Sequence, residues 1–134
     1  MYSQGPWVID SGASDHISGN ASLFTSMSSQ KFPHLITLAN DSKVGSKGVG
    51  QIPLPSSLNL ESVLFVPNCP FNLISLSQLT KSLNCSVTFC ADSFVIQEHG
   101  TRRTIGVGHK SRGLYYLETN SSVLFGNPIS QTYS

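Results

Sequence analysis

Apolar positions in this chain come in short bursts separated by turn-forming residues. Trp7-Val8-Ile9 is a brief apolar run that stops at Asp10-Ser11-Gly12. Leu35-Ile36-Thr37-Leu38 and the stretch 44–52 flank Asn40-Asp41-Ser42-Lys43, a pattern that predicts a β-hairpin. Gly45, Gly48 and Gly50 lie in its second arm, where they suit a hairpin that flexes or lets another chain come close. Pro53 and Pro55 are expected to interrupt any regular ladder at that point. The run 58–66 reads as a further strand, ended by Pro67-Asn68-Cys69-Pro70.

Only one segment carries a helical period. Leu73, Leu76, Leu79 and Leu83 recur at three- and four-residue steps, with Asn72 as the expected N-cap and Asn84 as the closing residue. Beyond it, 86–89 and 93–97 read as paired strands around Ala91-Asp92. Segments 102–108 and 113–117 add two more, the second aromatic at Tyr115 and Tyr116. From Thr119 the chain turns rich in Ser and Asn and is expected to form a flexible tail or linker. Many short strands and one helix favour a small β-barrel or sandwich.

Composition narrows the function classes. The chain has 134 residues, enough for one domain with a real core but too few for two lobes that share a large active site. Charged residues make up 11%, and 8 Lys+Arg against 7 Asp+Glu leave a formal charge of +1. A protein that holds nucleic acid by neutralising phosphates needs a basic face, and no direct nucleic-acid partner is expected here. No apolar run approaches the roughly 20 residues that span a bilayer, so no membrane partner is expected either. Residues 1–6 lack a basic region leading into an apolar stretch, and no signal peptide is expected from them. Cys69, Cys85 and Cys90 are odd in number and widely spaced, which predicts reduced thiols rather than a disulfide framework. No Cys or His completes a zinc set around Cys85 and Cys90 at the required spacing, and no metal is expected.

The chemistry concentrates at Asp10-Ser11-Gly12. An apolar strand delivers a carboxylate to its end, a hydroxyl stands next to it, and a glycine permits close approach. Such a tripeptide also serves ordinary turns. It is equally what each half of an aspartic protease site needs. Peptide hydrolysis by carboxylates uses two Asp side chains about 3 Å apart that share one proton. The charged one activates water and the protonated one donates to the scissile carbonyl. Asp41-Ser42-Lys43 and Asp92-Ser93-Phe94 both lack the glycine, so no second copy exists in the chain. If Asp10 is catalytic, its partner must come from a second copy of the chain, in a symmetric homodimer.

Four ordered blocks make the reading specific. Asp10-Ser11-Gly12-Ala13-Ser14-Asp15-His16-Ile17 resembles the active-site motif of proteases encoded in copia-type retrotransposon polyproteins. Leu38-Ala39-Asn40-Asp41-Ser42-Lys43-Val44, with Gly48-Val49-Gly50, resembles their flap. Val63-Leu64-Phe65-Val66-Pro67, then 71–79, resembles the second signature and its helix. Gly106-Val107-Gly108 and 113–117 resemble the exit toward the segment before integrase.

The resemblance implies a retropepsin-like closed β-barrel with one short helix over 7–118, active as a symmetric homodimer. Residues 1–6 would then be a lead-in and 119–134 a tail toward the pre-integrase region. Asp10 maps onto the catalytic aspartate. Ser11 maps onto the hydroxyl that ties the two active-site loops together, and Gly12 and Ala13 complete the loop. Gly12, Asp15, Asn40, Asp41 and Ser42 would meet substrate, with the flap spanning about 35–50. Asp15 serves equally well as a turn cap. Leu73-Ile74-Ser75 maps onto the segment that supports the active-site loop. Ser75 and Leu76 depart from the Gly and Arg common in retroviral proteases, so the retroviral dimer brace does not carry over. His16 is expected to be a packed, hydrogen-bonded histidine, whereas His34, His99 and His109 are scattered and expected in solvated loops. The implied substrates are junctions of the domain's own Gag-Pol-like polyprotein, cleaved without a cofactor inside cytoplasmic virus-like particles. A catalytically silent copy that keeps the fold as a peptide-binding or dimerisation module is the alternative.

Overall fold

The computed structural model describes residues 5–37, 41–55, 58–119 and 131–133. The fold is mainly β with one short helix. In chain order the strands are β1 (Trp7–Asp10), β2 (Ile17–Ser18), β3 (Ser26–Ser29), β4 (Leu35–Thr37), β5 (Lys43–Gly45), β6 (Gly48–Leu54), β7 (Leu58–Phe65) and β8 (Asn72–Ser75). The helix α1 (Leu76–Leu83) follows, then β9 (Cys85–Phe89), β10 (Ser93–Glu98), β11 (Thr104–Ser111), β12 (Leu114–Leu117) and β13 (Gln131–Tyr133). Eleven strands form one sheet in the order β13-β9-β10-β11-β12-β1-β8-β2-β7-β6-β3, and β4-β5 stand apart as a two-stranded hairpin. Among the described residues the large sheet has two ends, at β13 and β3, so the expected closed barrel is not seen.

The core collects Trp7 and Ile9 from β1, Ile52 and Leu54 from β6, Leu58, Leu60 and Val63 from β7, and Ile74 from β8. Leu76 and Leu79 of α1 join it, with Phe94 and Ile96 of β10, Ile105 of β11 and Leu117 of β12. Cys85 is buried in this cluster, and burial pushes its thiol up to about 11. All three cysteines are free.

Several local expectations change. Asn72 does not cap the helix, because Asn72–Ser75 is extended and pairs with β1 in parallel. Ser75 is the N-cap instead, its Oγ accepting the Gln78 N–H at 3.2 Å, and Asn84 ends the helix in the left-handed region. Leu73, which fits the helical period, belongs to β8. Pro53 does not break β6. Its partner on one side is Asn59, and the ladder with β3 on the other side ends at Gln51, so the missing N–H falls where no acceptor waits.

Gly48 and Gly50 lie outside the flap hairpin, in β6. They serve close approach of the chain's own β3. A Cβ on Gly50 would fall within 1.9 Å of the Ser26 carbonyl oxygen. Within the segment expected as a tail, Gln131–Tyr133 pairs antiparallel with β9 and covers what would otherwise be an exposed edge.

Candidate active-site cleft

Topology places the Asp10 loop. β8 lies between β1 and β2 in the sheet, with Asp10 beside Ser75 and Ile17 beside Leu73. Residues 11–16 therefore hop from one side of β8 to the other, across the end where β8 becomes α1. Each element that the loop crosses gives it a bond.

Inside the loop, Gly12 N–H donates to Asp10 Oδ1 at 2.8 Å, and Ala13 N–H reaches the Asp10 carbonyl at 3.5 Å. This is an Asx-type turn that aims one carboxylate oxygen back at the backbone and leaves Asp10 exposed at the strand end. A Cβ on Gly12 would stand 3.4 Å from Asp10 Oδ1, an ordinary contact, so glycine here leaves room above the carboxylate rather than relieving a clash.

From beneath, Ser75 Oγ donates to the Ala13 carbonyl at 2.7 Å, and Gln78 Nε2 donates to the Ser14 carbonyl at 3.2 Å. Ser75 N–H donates to His16 Nδ1 at 3.0 Å. Ser75 thus spends its hydroxyl on both the helix cap and the loop. His16 is 2% exposed. Burial drives its imidazole down to about 4, against a smaller upward pull from Asp15.

Ser75→Ala removes the cap and the bond to the Ala13 carbonyl together. It is expected to cost about 1 kcal/mol for each, about 2 kcal/mol in all. Urea unfolding of the variant measures this, and an unchanged midpoint would show that neither bond matters.

The hairpin β4-β5 overhangs the loop. Its base is anchored by Ser46, which is fully buried. Ser46 N–H donates to the His34 carbonyl at 3.0 Å, its Oγ accepts the His34 N–H at 3.0 Å, and the same Oγ bonds to Gln30 Oε1. Beyond the base, three cross-strand pairs hold the hairpin among the described residues, from Leu35 with Gly45 to Thr37 with Lys43. A two-stranded hairpin outside the main sheet has little stability of its own.

Between loop and hairpin lies a cleft of about 590 Å³. Asp10, Gly12, Ala13, Ser14 and Asp15 form its polar floor. Ile17, Leu35, Ile36, Phe71 and Leu73 supply apolar wall, with His34 and Thr37 at the overhang. Asp15 accepts the Ser14 Oγ–H at 2.9 Å and meets His34 Nε2 at 3.5 Å, linking loop to hairpin base. His34 is thus half-exposed but paired, His99 Nδ1 meets Asn84 Oδ1 at 3.0 Å, and His109 stacks on Tyr116.

The structure therefore brings together Asp10, Gly12, Ala13, Asp15 and Leu73 in the cleft, with Ser75 and buried Ile74 beneath it. Ser11 is exposed on the loop. Asp41, at φ +67, and Ser42 are exposed near the hairpin tip and do not line the cleft. Asn40 lies outside the described residues. The sequence did not single out His34 or Phe71 as cleft residues, and it marked Thr37 only as part of the flap span of about 35–50. Their signal was only that 34–37 precede the hairpin turn and that Phe71 precedes β8. Among the described residues no cluster of His, Cys, Asp or Glu is arranged to hold a metal ion, and no helix is long and apolar enough to cross a membrane.

Residues 7–83, more than half of the chain, match the family described as Pol polyprotein, beta-barrel domain. The chain belongs to this family. The matched span of this Pol β-barrel domain runs from β1 through α1, and so includes the Asp10 loop, the hairpin and Ser75. The retrovirus-related Pol polyproteins from transposons RE2 and RE1 of Arabidopsis thaliana are each 31% identical to it over 140 residues. Those alignments cover 97% of this chain and 9% of each relative, so the chain spans about a tenth of their length. No solved structure matches the chain.

Proposed function

We propose that this Pol β-barrel domain is the aspartic endopeptidase of a copia-type Gag-Pol polyprotein. It works as a retropepsin-like homodimer with one Asp10 from each chain. The observation that carries the reading is Asp10 itself, exposed at the end of a buried strand, braced by Gly12 N–H, and facing a cleft under a hairpin. Asp15, also in the cleft, is engaged by Ser14 and His34. A second copy is the simplest source of the partner Asp.

In this mechanism an extended peptide lies in the cleft with its backbone along β4-β5 and its side chains against Ile17, Leu35, Ile36, Phe71 and Leu73. The two Asp10 carboxylates share a proton. The ionised one takes a proton from water as it attacks the scissile carbonyl. The protonated one donates to the carbonyl oxygen, and proton return to the amine nitrogen releases the two fragments. Ser11, Asp41 and Ser42 are the residues best placed to meet the partner chain or the peptide once the hairpin closes. Neither a metal nor an organic cofactor enters. The substrates are junctions of the domain's own polyprotein, cut inside cytoplasmic particles.

Purified protein is expected to cleave a junction peptide, to be inhibited by a statine-type inhibitor, and to sediment as a dimer at the concentrations where it cleaves. Turnover by a species that stays monomeric would refute the two-chain site.

A further inference from the structure

His16 is the buried group that the proposed reaction does not use. It is the last residue of the Asp10 loop, and its buried ring does not line the cleft. A backbone N–H can only donate, so the 3.0 Å bond from Ser75 N–H requires a lone pair on His16 Nδ1 and places the ring proton on Nε2. Ser75 in turn holds the Ala13 carbonyl at 2.7 Å and pairs with Asp10 across β1 and β8. The path from His16 to the Asp10 turn is thus two hydrogen bonds long and runs through a fully buried residue.

We propose that His16 is a positioning residue, which holds the Asp10 loop in its cleft-forming shape through Ser75 and does so only while its ring is neutral. Protonation puts a donor on Nδ1, face to face with the Ser75 N–H in a buried site. The bond is lost, and Ser75 is no longer fixed under Ala13. The surroundings offer the imidazolium little help. Among the described residues Asp15 is the charged group that acts on it, and Asp15 already receives Ser14 and His34. On the flanking elements Asp10 ends β1, Glu61 of β7 and Lys81 of α1 are exposed, and β8 carries no titratable side chain. Burial keeps the ring neutral down to about pH 4.

The positioning claim concerns the loop and stands without turnover, whereas its catalytic consequence rests on the protease reading. Two variants separate the roles. H16N keeps an acceptor oxygen near the Nδ1 position and does not titrate. H16L keeps apolar volume and has no acceptor. Amide hydrogen exchange at neutral pH is read at Ser75, Gly12 and Ala13, with Val87 and Ile96 of the β9-β10 ladder as reference. H16L is expected to speed exchange at the first three by at least about tenfold relative to the reference, and H16N to leave them near wild type. A uniform acceleration, or none, would overturn the proposal, because a merely structural histidine loosens all strands alike. In acid, wild type is expected to lose protection at Ser75 ahead of Val87 and Ile96 as the pH approaches about 4, and loss at all three alike overturns the claim. H16N is expected to keep the protection at Ser75, and equal loss in both proteins overturns the claim. The acid comparison decides alone if H16L does not fold. On an active preparation H16L is expected to lower kcat by about tenfold or more, with KM changed less. Absence of any cleavage in wild type would sink the protease reading and leave the exchange result standing.

Discussion

Asp10→Asn is expected to abolish peptide cleavage while leaving the fold standing. Asn retains an oxygen where Asp10 Oδ1 accepts the Gly12 N–H at 2.8 Å, so the turn keeps its internal bond. What it loses is the ability to share, take and give a proton. Removing a positioned acid–base group costs on the order of 10²–10⁴ in rate, and in a symmetric dimer one substitution removes both members of the pair. Cleavage of a junction peptide by the variant should therefore fall to background, with an unfolding midpoint close to that of wild type. Turnover within about tenfold of wild type would remove Asp10 from the chemistry.

The second large effect is on stability in acid. His16 is a base whose folded value, about 4, lies below its ordinary 6.5. Between these values the unfolded chain binds a proton that the folded one refuses. Stability is therefore fully present above about pH 6.5 and declines as the pH falls, with the loss complete near pH 4. The shift corresponds to about 3 kcal/mol, a large part of a typical domain's stability. Urea unfolding at steps from pH 7 to pH 4 should show wild type losing roughly this much more than H16N. Parallel pH curves for the two proteins would contradict the assignment. On the protease reading, two opposed demands bracket the working pH. The carboxylate pair must hold one proton, and His16 must hold none beyond its neutral form.

The parts of the fold that the sequence disclosed are those where one local rule dominates. Trp7-Val8-Ile9 stops at a polar turn and is β1. The run 58–66 is β7 apart from its last residue, and Leu79 and Leu83 do lie on a helix. The Asp10 loop was legible because strand, carboxylate, hydroxyl and glycine follow one another directly. Where several rules competed, the pattern misled. Leu73 and Leu76 sit three apart as on a helix, yet parallel pairing with β1 keeps Leu73 extended, and Ser75 takes the cap from Asn72. β3 is Ser26-Met27-Ser28-Ser29, wholly exposed, with no apolar alternation to announce it, and only the glycines opposite betray its approach. The link from His16 through Ser75 to Ala13 joins residues about 60 positions apart. It exists because β8 threads between β1 and β2, a topological fact that no local pattern carries.

The central claim is that two copies of Asp10 form one site. The most direct test is a crystal structure of the domain with a peptide-like aspartic protease inhibitor, read for the separation of the two Asp10 carboxylates. A symmetric dimer is expected, with those groups about 3 Å apart beneath the inhibitor. An inhibitor bound to a single chain, or a dimer whose Asp10 side chains lie far apart with the cleft filled, would contradict it.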